Sequence, residues 1–209
     1  RRVLFRSPRT KVDVIDIGGE STRPGALRVE ESDEEQRVVP LVREVAGFAP
    51  VSVDTMRSRV AQEAIDAGAT IINDVSGGLA DPRILDVVAS TGVDYVLMHW
   101  RGQSATMQSH VHYDDPVEDV ITELSARVDA AVAAGVARER IIVDPGIGFS
   151  KTGEQNWELL RHADRFQEAF ADLVQQVELA GYYPELVLDT LRLAAGEEEI
   201  LSGMVQAET

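Results

Sequence analysis

Five short runs rich in valine and isoleucine recur along the chain, and each is followed at once by glycine or polar residues. The runs are VDVIDIGG (12–19), PVSVDT (50–55), ATIINDVSGG (69–78), VDYVLMH (93–99) and RIIVDPGIG (140–148). Nearly continuous apolar runs of this kind are typical of strands in a parallel sheet that helices cover. The gaps between them are long enough for helices, so the sequence predicts a chain of βα units.

The segments between the runs carry helical periodicity. Apolar side chains recur every four residues at Met56, Val60 and Ala64. Gly68 then supplies a stop, so a helix is predicted to end there. A second helix of the same spacing is predicted over residues 117–132. Residues 32–45 begin with acidic side chains, as the helix dipole favours, and Pro40 is expected to kink that helix.

Two architectures are built from βα units, an open doubly wound sheet and a (β/α)₈ barrel. The nucleotide-binding form of the open sheet expects G-x-G-x-x-G after its first strand, and GGESTRPG (18–25) does not fit that pattern. In a barrel, functional groups collect at the carboxyl ends of the strands. Here those ends carry Glu20, Thr22, Arg23, Asp54, Thr55, Asn73, Asp74, Met98, His99 and Asp144. The predicted fold is therefore α/β, a partial (β/α)₈ TIM barrel with about five of eight strands.

Several strand-end residues also have a purely structural interpretation. Asp54 or Thr55 could cap the helix that follows, and Asp74 could stabilise a turn. Asp144 stands before a proline, where chains commonly turn. Five such groups at equivalent places in a repeating unit favour a ligand site over five unrelated structural roles.

Charge and cysteine content exclude several classes of protein. The formal net charge is −16, whereas nucleic-acid binding needs a basic surface, so no nucleic-acid partner is expected. No apolar run approaches the roughly 18 residues that span a bilayer, so no membrane partner is expected. The absence of cysteine excludes disulfides and thiolate metal sites, and a cytoplasmic location is expected. An anionic substrate would need local cations, and Arg23 and Lys151 are the nearby ones.

The two ends differ from the middle of the chain. Residues 2–7, RVLFRS, resemble the translation of a sequencing adapter, so residues 1–10 are expected to be an artefact or a disordered arm. Residues 11–165 are the predicted barrel domain. Residues 166–209 contain nine acidic residues and one basic residue, and they are predicted to form a helical acidic tail of separate origin.

The residue types at the strand ends predict the chemistry of the ligand. Two carboxylates, Asp54 and Asp144, suit a flat ligand that presents several N–H donors, and Asn73 offers both a donor and an acceptor. Met98 and Phe149 could line a ring. No metal-ligating side chain is predicted. The residues alone thus predict a barrel enzyme that binds a heteroaromatic compound.

The longer motifs resemble those of one enzyme family. DIGGESTRPGA (16–26), VSVDT (51–55), INDVSGG (72–78), VLMHW (96–100) and DPGIGFSKTGEQNW (144–157) resemble the dihydropteroate synthases of bacterial folate synthesis. The resemblance runs from about residue 12 to about residue 166. It implies a barrel that condenses dihydropterin methyl pyrophosphate with p-aminobenzoate and releases pyrophosphate with the assistance of Mg²⁺.

The resemblance also implies roles for individual residues. Asp54, Asn73 and Asp144 match the family's pterin-binding residues, and Asp144 would take the amino-pyrimidine edge. Asp54 would stabilise the positive charge that develops on the pterin as the bond to pyrophosphate breaks.

The second substrate is assigned in the same way. Thr22, Arg23 and Pro24 match a mobile loop that closes over p-aminobenzoate, and Phe149 matches an aromatic residue of that pocket. Thr22 and Arg23 are predicted to be catalytic together with Asp54. Lys151 is predicted to bind an anionic substrate or leaving group.

Parts of the family pattern have no counterpart here. The asparagine-containing loop that handles metal and pyrophosphate does not match anything before residue 12, and no lysine or histidine occurs in residues 166–209. The chain as written is therefore expected to be inactive alone, and a homodimer is expected for a full-length parent. Two alternatives stay open: a pterin-dependent methyltransferase barrel, and a non-catalytic helical interaction module in residues 166–209.

Overall fold

A computed structural model describes residues 13–23, 25–171 and 173. Five strands lie where the apolar runs predicted them, and this prediction is confirmed. They are β1 (Ile15–Gly18), β2 (Val51–Asp54), β3 (Ile71–Asp74), β4 (Asp94–Met98) and β5 (Ile141–Asp144). The α-helices are α1 (Glu31–Val45), α2 (Ser58–Asp66), α3 (Arg83–Thr91), α4 (Pro116–Ala133), α5 (Gly153–Arg161) and α6 (Ala163–Ala169).

The strands form one parallel sheet in the order β1-β2-β3-β4-β5. A doubly wound sheet reverses its strand order at a switch point, whereas a barrel adds strands in chain order. The observed order, together with a main core that packs strands against helices, identifies five consecutive units of a barrel. The predicted fold class is confirmed.

Alternation along the strands separates two faces of the sheet. The residues of the main core that come from the strands are Ile17, Val51, Val53, Ile72, Tyr95, Leu97 and Ile141. These side chains pack against the helices, and burying their apolar area is the main stabilising contribution. Because neighbouring residues of a strand point to opposite faces, the alternate positions share the other face. We call it the open face; it carries Asp16, Ser52, Asp54, Ile71, Asn73, Val96, Met98, Ile142 and Asp144.

The predicted helices are present with small shifts of their ends. α2 stops at Asp66, just before Gly68, which has a φ of 114°. α4 is capped by the Asp115 side chain, which accepts hydrogen bonds from two backbone amides of the first turn. Pro40 lies inside α1 without ending it, on the exposed side, where water can bond the carbonyl that proline leaves unpaired.

The described chain continues past the boundary expected after residue 165. That boundary falls inside α6, and Phe170 and Leu173 are both buried in the main core. The expectations for residues 1–10 and for most of the acidic tail lie outside the described residues. Among the described residues, no helix has the length and apolar character needed to cross a membrane.

Candidate active site

The carboxyl ends of the strands bring together four predicted site residues. Asp54 of β2 is the register partner of Asn73 of β3, and Met98 of β4 is the register partner of Asp144 of β5. All four lie on the open face, near the last residues of their strands. Register partners in a sheet are about 5 Å apart, so these side chains can act on one ligand.

The Asp54 carboxylate is left without a partner from the described part of the chain. No hydrogen bond to it is found there, although the side chain is mostly buried. Burial raises the pKa of Asp54 to about 7, and the carboxylates of Asp16, Glu34, Asp74 and Glu20 add to the rise. A buried acceptor without a donor is a position at which a ligand can supply the donor.

The raised pKa of Asp54 predicts that the free energy of unfolding depends on pH. A carboxyl group whose folded pKa exceeds its unfolded pKa binds its proton more tightly in the folded state, so stability falls as the pH rises from about 4 to about 7. Asp54→Asn removes the ionisation, and we expect it to raise the free energy of unfolding at pH 8 by about 2 kcal/mol. The gain should shrink as the pH falls below 7 and vanish near pH 4.

Urea denaturation of both proteins between pH 4 and pH 8 measures the effect. Asp129→Asn, on the exposed side of α4, is the matched control for loss of one negative charge. An equal difference in stability at pH 4 and pH 8 would contradict the account of Asp54.

Asn73 and Asp144 also present free polar atoms. No hydrogen bond of the Asn73 side chain is found among the described residues, and the side chain is half-buried. Asp144 Oδ1 accepts the amide of Gly146 at 2.7 Å, and no described residue donates to Oδ2. Burial raises the pKa of Asp144, against the opposing effects of the Gly146 amide and the Lys151 charge.

A small apolar cluster lies beside these polar groups. Met56, Val75 and Met98 form its buried part, and Ala80, Trp100 and Phe149 pack against them. Met98 and Phe149 are thus brought together next to Asp144, where a ring could lie against them. Their ring-lining role stays a prediction.

Two strand-end residues prove to have structural roles. Asp74 is fully buried, and its carboxylate accepts hydrogen bonds from Ser76, Gly78 and the Tyr95 hydroxyl. It stabilises the turn after β3, which is one of the alternatives left open by the sequence. Thr55 donates to Glu34 at 2.5 Å and accepts the amide of Arg57, so its hydroxyl is also engaged within the chain.

The loop after β1 is anchored by a network of buried charges. Glu34 is almost fully buried and accepts hydrogen bonds from Thr55 and Arg57. Arg57 also reaches Glu20, which holds the far end of the loop through Arg28 and the amide of Val29. Burial raises the pKa of Glu34, and its hydrogen bond to Thr55 and the charge of Arg57 act against that rise. No sequence pattern indicates the role of Glu34, because a glutamate in the first turn of a helix is normally exposed.

The middle of this loop contacts the loop after β4. Ser104 donates from its hydroxyl to the carbonyl of Thr22 at 3.0 Å, and its own carbonyl accepts the amide of Gly25 at 2.8 Å. Arg23 is exposed, and no partner of its guanidinium is found among the described residues. Pro24 lies outside the described residues.

Lys151 is placed differently from the other candidates. Its side chain is buried, and Nζ lies within 3.0 Å of the carbonyl oxygens of Gly146 and Phe149 and of His99 Nδ1. Burial lowers the pKa of Lys151 to about 7, and the Asp144 carboxylate acts against that change. The ammonium form has three N–H donors, and these three acceptors use all of them. In this structure Lys151 therefore has no donor left for a substrate anion.

The family profile for pterin binding enzymes matches residues 10–181. The chain belongs to the pterin binding enzymes. The dihydropteroate synthase of Mycobacterium leprae is 51% identical over 149 residues, which are 70% of this chain and 52% of that protein. This pterin binding enzyme thus spans about half the length of its curated relative.

Solved structures agree with this assignment. The dihydropteroate synthase of Xanthomonas albilineans with 4-aminobenzoic acid has a TM-score of 0.69 at 43% identity, over 75% of this chain and 55% of that one. The Burkholderia cenocepacia enzyme complexed with 7,8-dihydropteroate has a TM-score of 0.68 at 43% identity, over 73% of this chain and 55% of that one. The resemblance to dihydropteroate synthases is confirmed, and these relatives support it over a methyltransferase barrel.

Proposed function

We propose that this chain carries the pterin-binding part of a dihydropteroate synthase. The reaction joins a dihydropterin methyl pyrophosphate to p-aminobenzoate and releases pyrophosphate. The observation that supports it most is the set of free acceptor atoms of Asp54, Asn73 and Asp144 on one face, beside the cluster of Met98 and Phe149. Relatives in the same family are synthases, two of them solved with 4-aminobenzoic acid or dihydropteroate.

Asp144 is suited to hold the amino-pyrimidine edge of a pterin. That edge offers an amino group beside a ring N–H, and a carboxylate accepts such a pair of donors. Asp144 Oδ1 already accepts the Gly146 amide, which fixes the orientation of the carboxyl group before a ligand arrives. Asn73 can meet one further donor and one acceptor of the ring. Phe149 and Met98 would cover the ring and exclude water.

Asp54 is suited to stabilise positive charge. As the carbon–oxygen bond to pyrophosphate breaks, charge develops on the pterin and its exocyclic carbon. A neighbouring cation favours the ionised form of a carboxyl group, so the pKa of Asp54, about 7 in the free protein, would fall as the reaction proceeds. The interaction is then stronger in the transition state than in the ground state, which is what accelerates a step.

Arg23 and Thr22 are proposed to serve the second substrate. The exposed guanidinium of Arg23 can pair with the carboxylate of p-aminobenzoate in a bidentate manner. Ser104 holds the backbone at Thr22 and Gly25, so the loop is tethered from two sides. Closure of this loop would bring the amine of p-aminobenzoate to the exocyclic carbon of the pterin.

The Mg²⁺ assistance that the family resemblance implies stays a prediction, because Mg²⁺ is commonly held by one or two carboxylates together with substrate phosphates. Among residues 13–23, 25–171 and 173, no three histidine, aspartate or glutamate side chains are grouped so as to hold a metal ion. We therefore derive no step through Mg²⁺. A cytoplasmic location and a homodimer of a longer parent stay predictions.

The pterin assignment predicts a selectivity that calorimetry can measure. We expect 6-hydroxymethylpterin to bind with 1:1 stoichiometry, and 6-hydroxymethyl-lumazine to bind at least about tenfold more weakly. Lumazine has a carbonyl oxygen where pterin has the 2-amino group, so it would set an acceptor against the Asp144 carboxylate. Equal binding of the two compounds, or binding of neither, would contradict the proposed function.

A further inference from the structure

The loop between β5 and α5 connects two of the proposed ligand-binding residues and has an unusual backbone. Asp144 stands at its start and Phe149 near its end. Gly146, Gly148 and Ser150 have positive φ angles of 69°, 85° and 49°. For a residue other than glycine this conformation costs about 1–2 kcal/mol, so Ser150 must be held by its surroundings.

The Lys151 side chain forms hydrogen bonds with the backbone of this loop. Its Nζ donates to the carbonyl oxygens of Gly146 at 2.9 Å and Phe149 at 3.0 Å, so one side chain ties both ends of the turn. Only 3% of Lys151 is exposed. A buried ammonium group is stable only when each of its N–H donors finds an acceptor, and the third acceptor here is His99 Nδ1.

His99 also contacts Glu123, which forms an ion pair with Arg101. Its Nε2 lies 3.0 Å from Glu123 Oε2, and burial lowers the pKa of His99 to about 4, so the ring is neutral near pH 7. A neutral ring that donates from Nε2 to Glu123 can accept from Lys151 at Nδ1. Arg101 pairs with the same Glu123 carboxylate.

Arg101 and Tyr113 connect Glu123 back to the loop. The Arg101 guanidinium lies 3.7 Å from the centre of the Tyr113 ring, and the Tyr113 hydroxyl donates to the carbonyl of Ser150 at 3.0 Å. The segment is thus bound at Ser150 by Tyr113 and at Lys151 by His99, two side chains that lie between β4 and α4. Lys151 is the member that contacts the loop at both Gly146 and Phe149.

We propose that Lys151 is a positioning residue that fixes Asp144 and Phe149 for the ligand and does not itself contact substrate or pyrophosphate. This inference rests on the proposed function for the identity of the ligand, and on the observed contacts for the positioning role. It replaces the expectation from sequence that Lys151 binds an anion.

The test compares Lys151→Met with Arg161→Met, which removes an exposed cation from α5. Amide hydrogen exchange of residues 145–150 is measured by mass spectrometry, and binding of 6-hydroxymethylpterin by calorimetry. We expect Lys151→Met to exchange at least about tenfold faster in residues 145–150 and to bind about tenfold more weakly. Arg161→Met should change neither. Weaker binding with unchanged exchange would overturn the proposal, because it would mean direct contact.

A second measurement uses the unmodified chain, so its result does not depend on whether Lys151→Met folds. Lys151 and Lys11 are the only lysines in the sequence, so acylation by an N-hydroxysuccinimide ester is readily mapped. We expect Lys151 to be labelled only in denaturant, with or without pterin or pyrophosphate. Labelling in the folded protein that either compound suppresses would overturn the positioning role. Fast exchange in Lys151→Met without pterin binding by the parent would instead contradict the proposed function alone.

Discussion

Replacing Asp144 with asparagine is expected to weaken the binding of 6-hydroxymethylpterin by about 100-fold. Each hydrogen bond to a charged group contributes about 1.5–3 kcal/mol, and the amide of asparagine would set one N–H donor against a donor of the ligand. The loss of one charge-assisted pair, together with this conflict, amounts to about 3 kcal/mol. Calorimetric titration of the two proteins measures the ratio of their dissociation constants.

A matched control separates this contact from a general effect of charge. Asp94 begins β4 at the opposite edge of the sheet, where it pairs with Arg140 at 2.9 Å. Asp94→Asn removes the same charge by the same substitution, and we expect its pterin affinity to stay within about twofold of the parent. Equal affinities of the parent and Asp144→Asn would contradict the role given to Asp144.

Gly146→Ala is expected to destabilise the protein by about 3 kcal/mol or more and to abolish pterin binding. A Cβ at this residue would lie 2.5 Å from the carbonyl oxygen of His99, a backbone atom that cannot move aside without shifting β4. The loop that carries Asp144 and Phe149 would be displaced instead. The positive φ of 69° adds a further cost of about 1–2 kcal/mol for any side chain.

Gly148→Ala supplies the comparison for this substitution. Gly148 has a similar φ of 85°, but a Cβ at this residue would have no atom of the described chain within 4 Å beyond its immediate neighbours in sequence. We expect Gly148→Ala to cost only about 1–2 kcal/mol, since it carries the cost of the backbone conformation alone. Urea denaturation gives both values. Similar losses of unfolding free energy in the two variants would mean that the close contact with the His99 carbonyl does not destabilise the protein.

The strands and the open-face residues could be predicted from the sequence for a simple reason. Apolar runs that end in glycine or polar residues mark buried parallel strands, and the carboxyl ends of such strands meet at one edge. Asp54, Asn73, Met98 and Asp144 are separated by up to 90 positions in sequence, yet the repeating unit places them together. The strand order then followed from the choice of a barrel.

Other features depend on contacts that no local pattern encodes. Asn73 and Asp74 are adjacent, and only the position of β3 in the sheet decides which of them faces the ligand side.

Lysine is rarely buried, so the sequence favours an exposed Lys151. Its burial requires His99, which lies 52 residues earlier, and two carbonyl groups of a turn with positive φ angles. Glu34 is likewise buried only because Arg57 and Thr55 reach it from a neighbouring unit.

The most direct test of the account is to locate the ligand on the chain. A ¹⁵N-labelled sample is titrated with 6-hydroxymethylpterin, and the backbone amide shifts are followed by heteronuclear NMR. We expect the largest changes at the carboxyl ends of β2 to β5, at Asp54, Asn73 and Met98 and over residues 144–149. An absence of shifts, or changes centred on the opposite edge of the sheet at Thr70, Gly92 and Arg140, would contradict a pterin site on the open face.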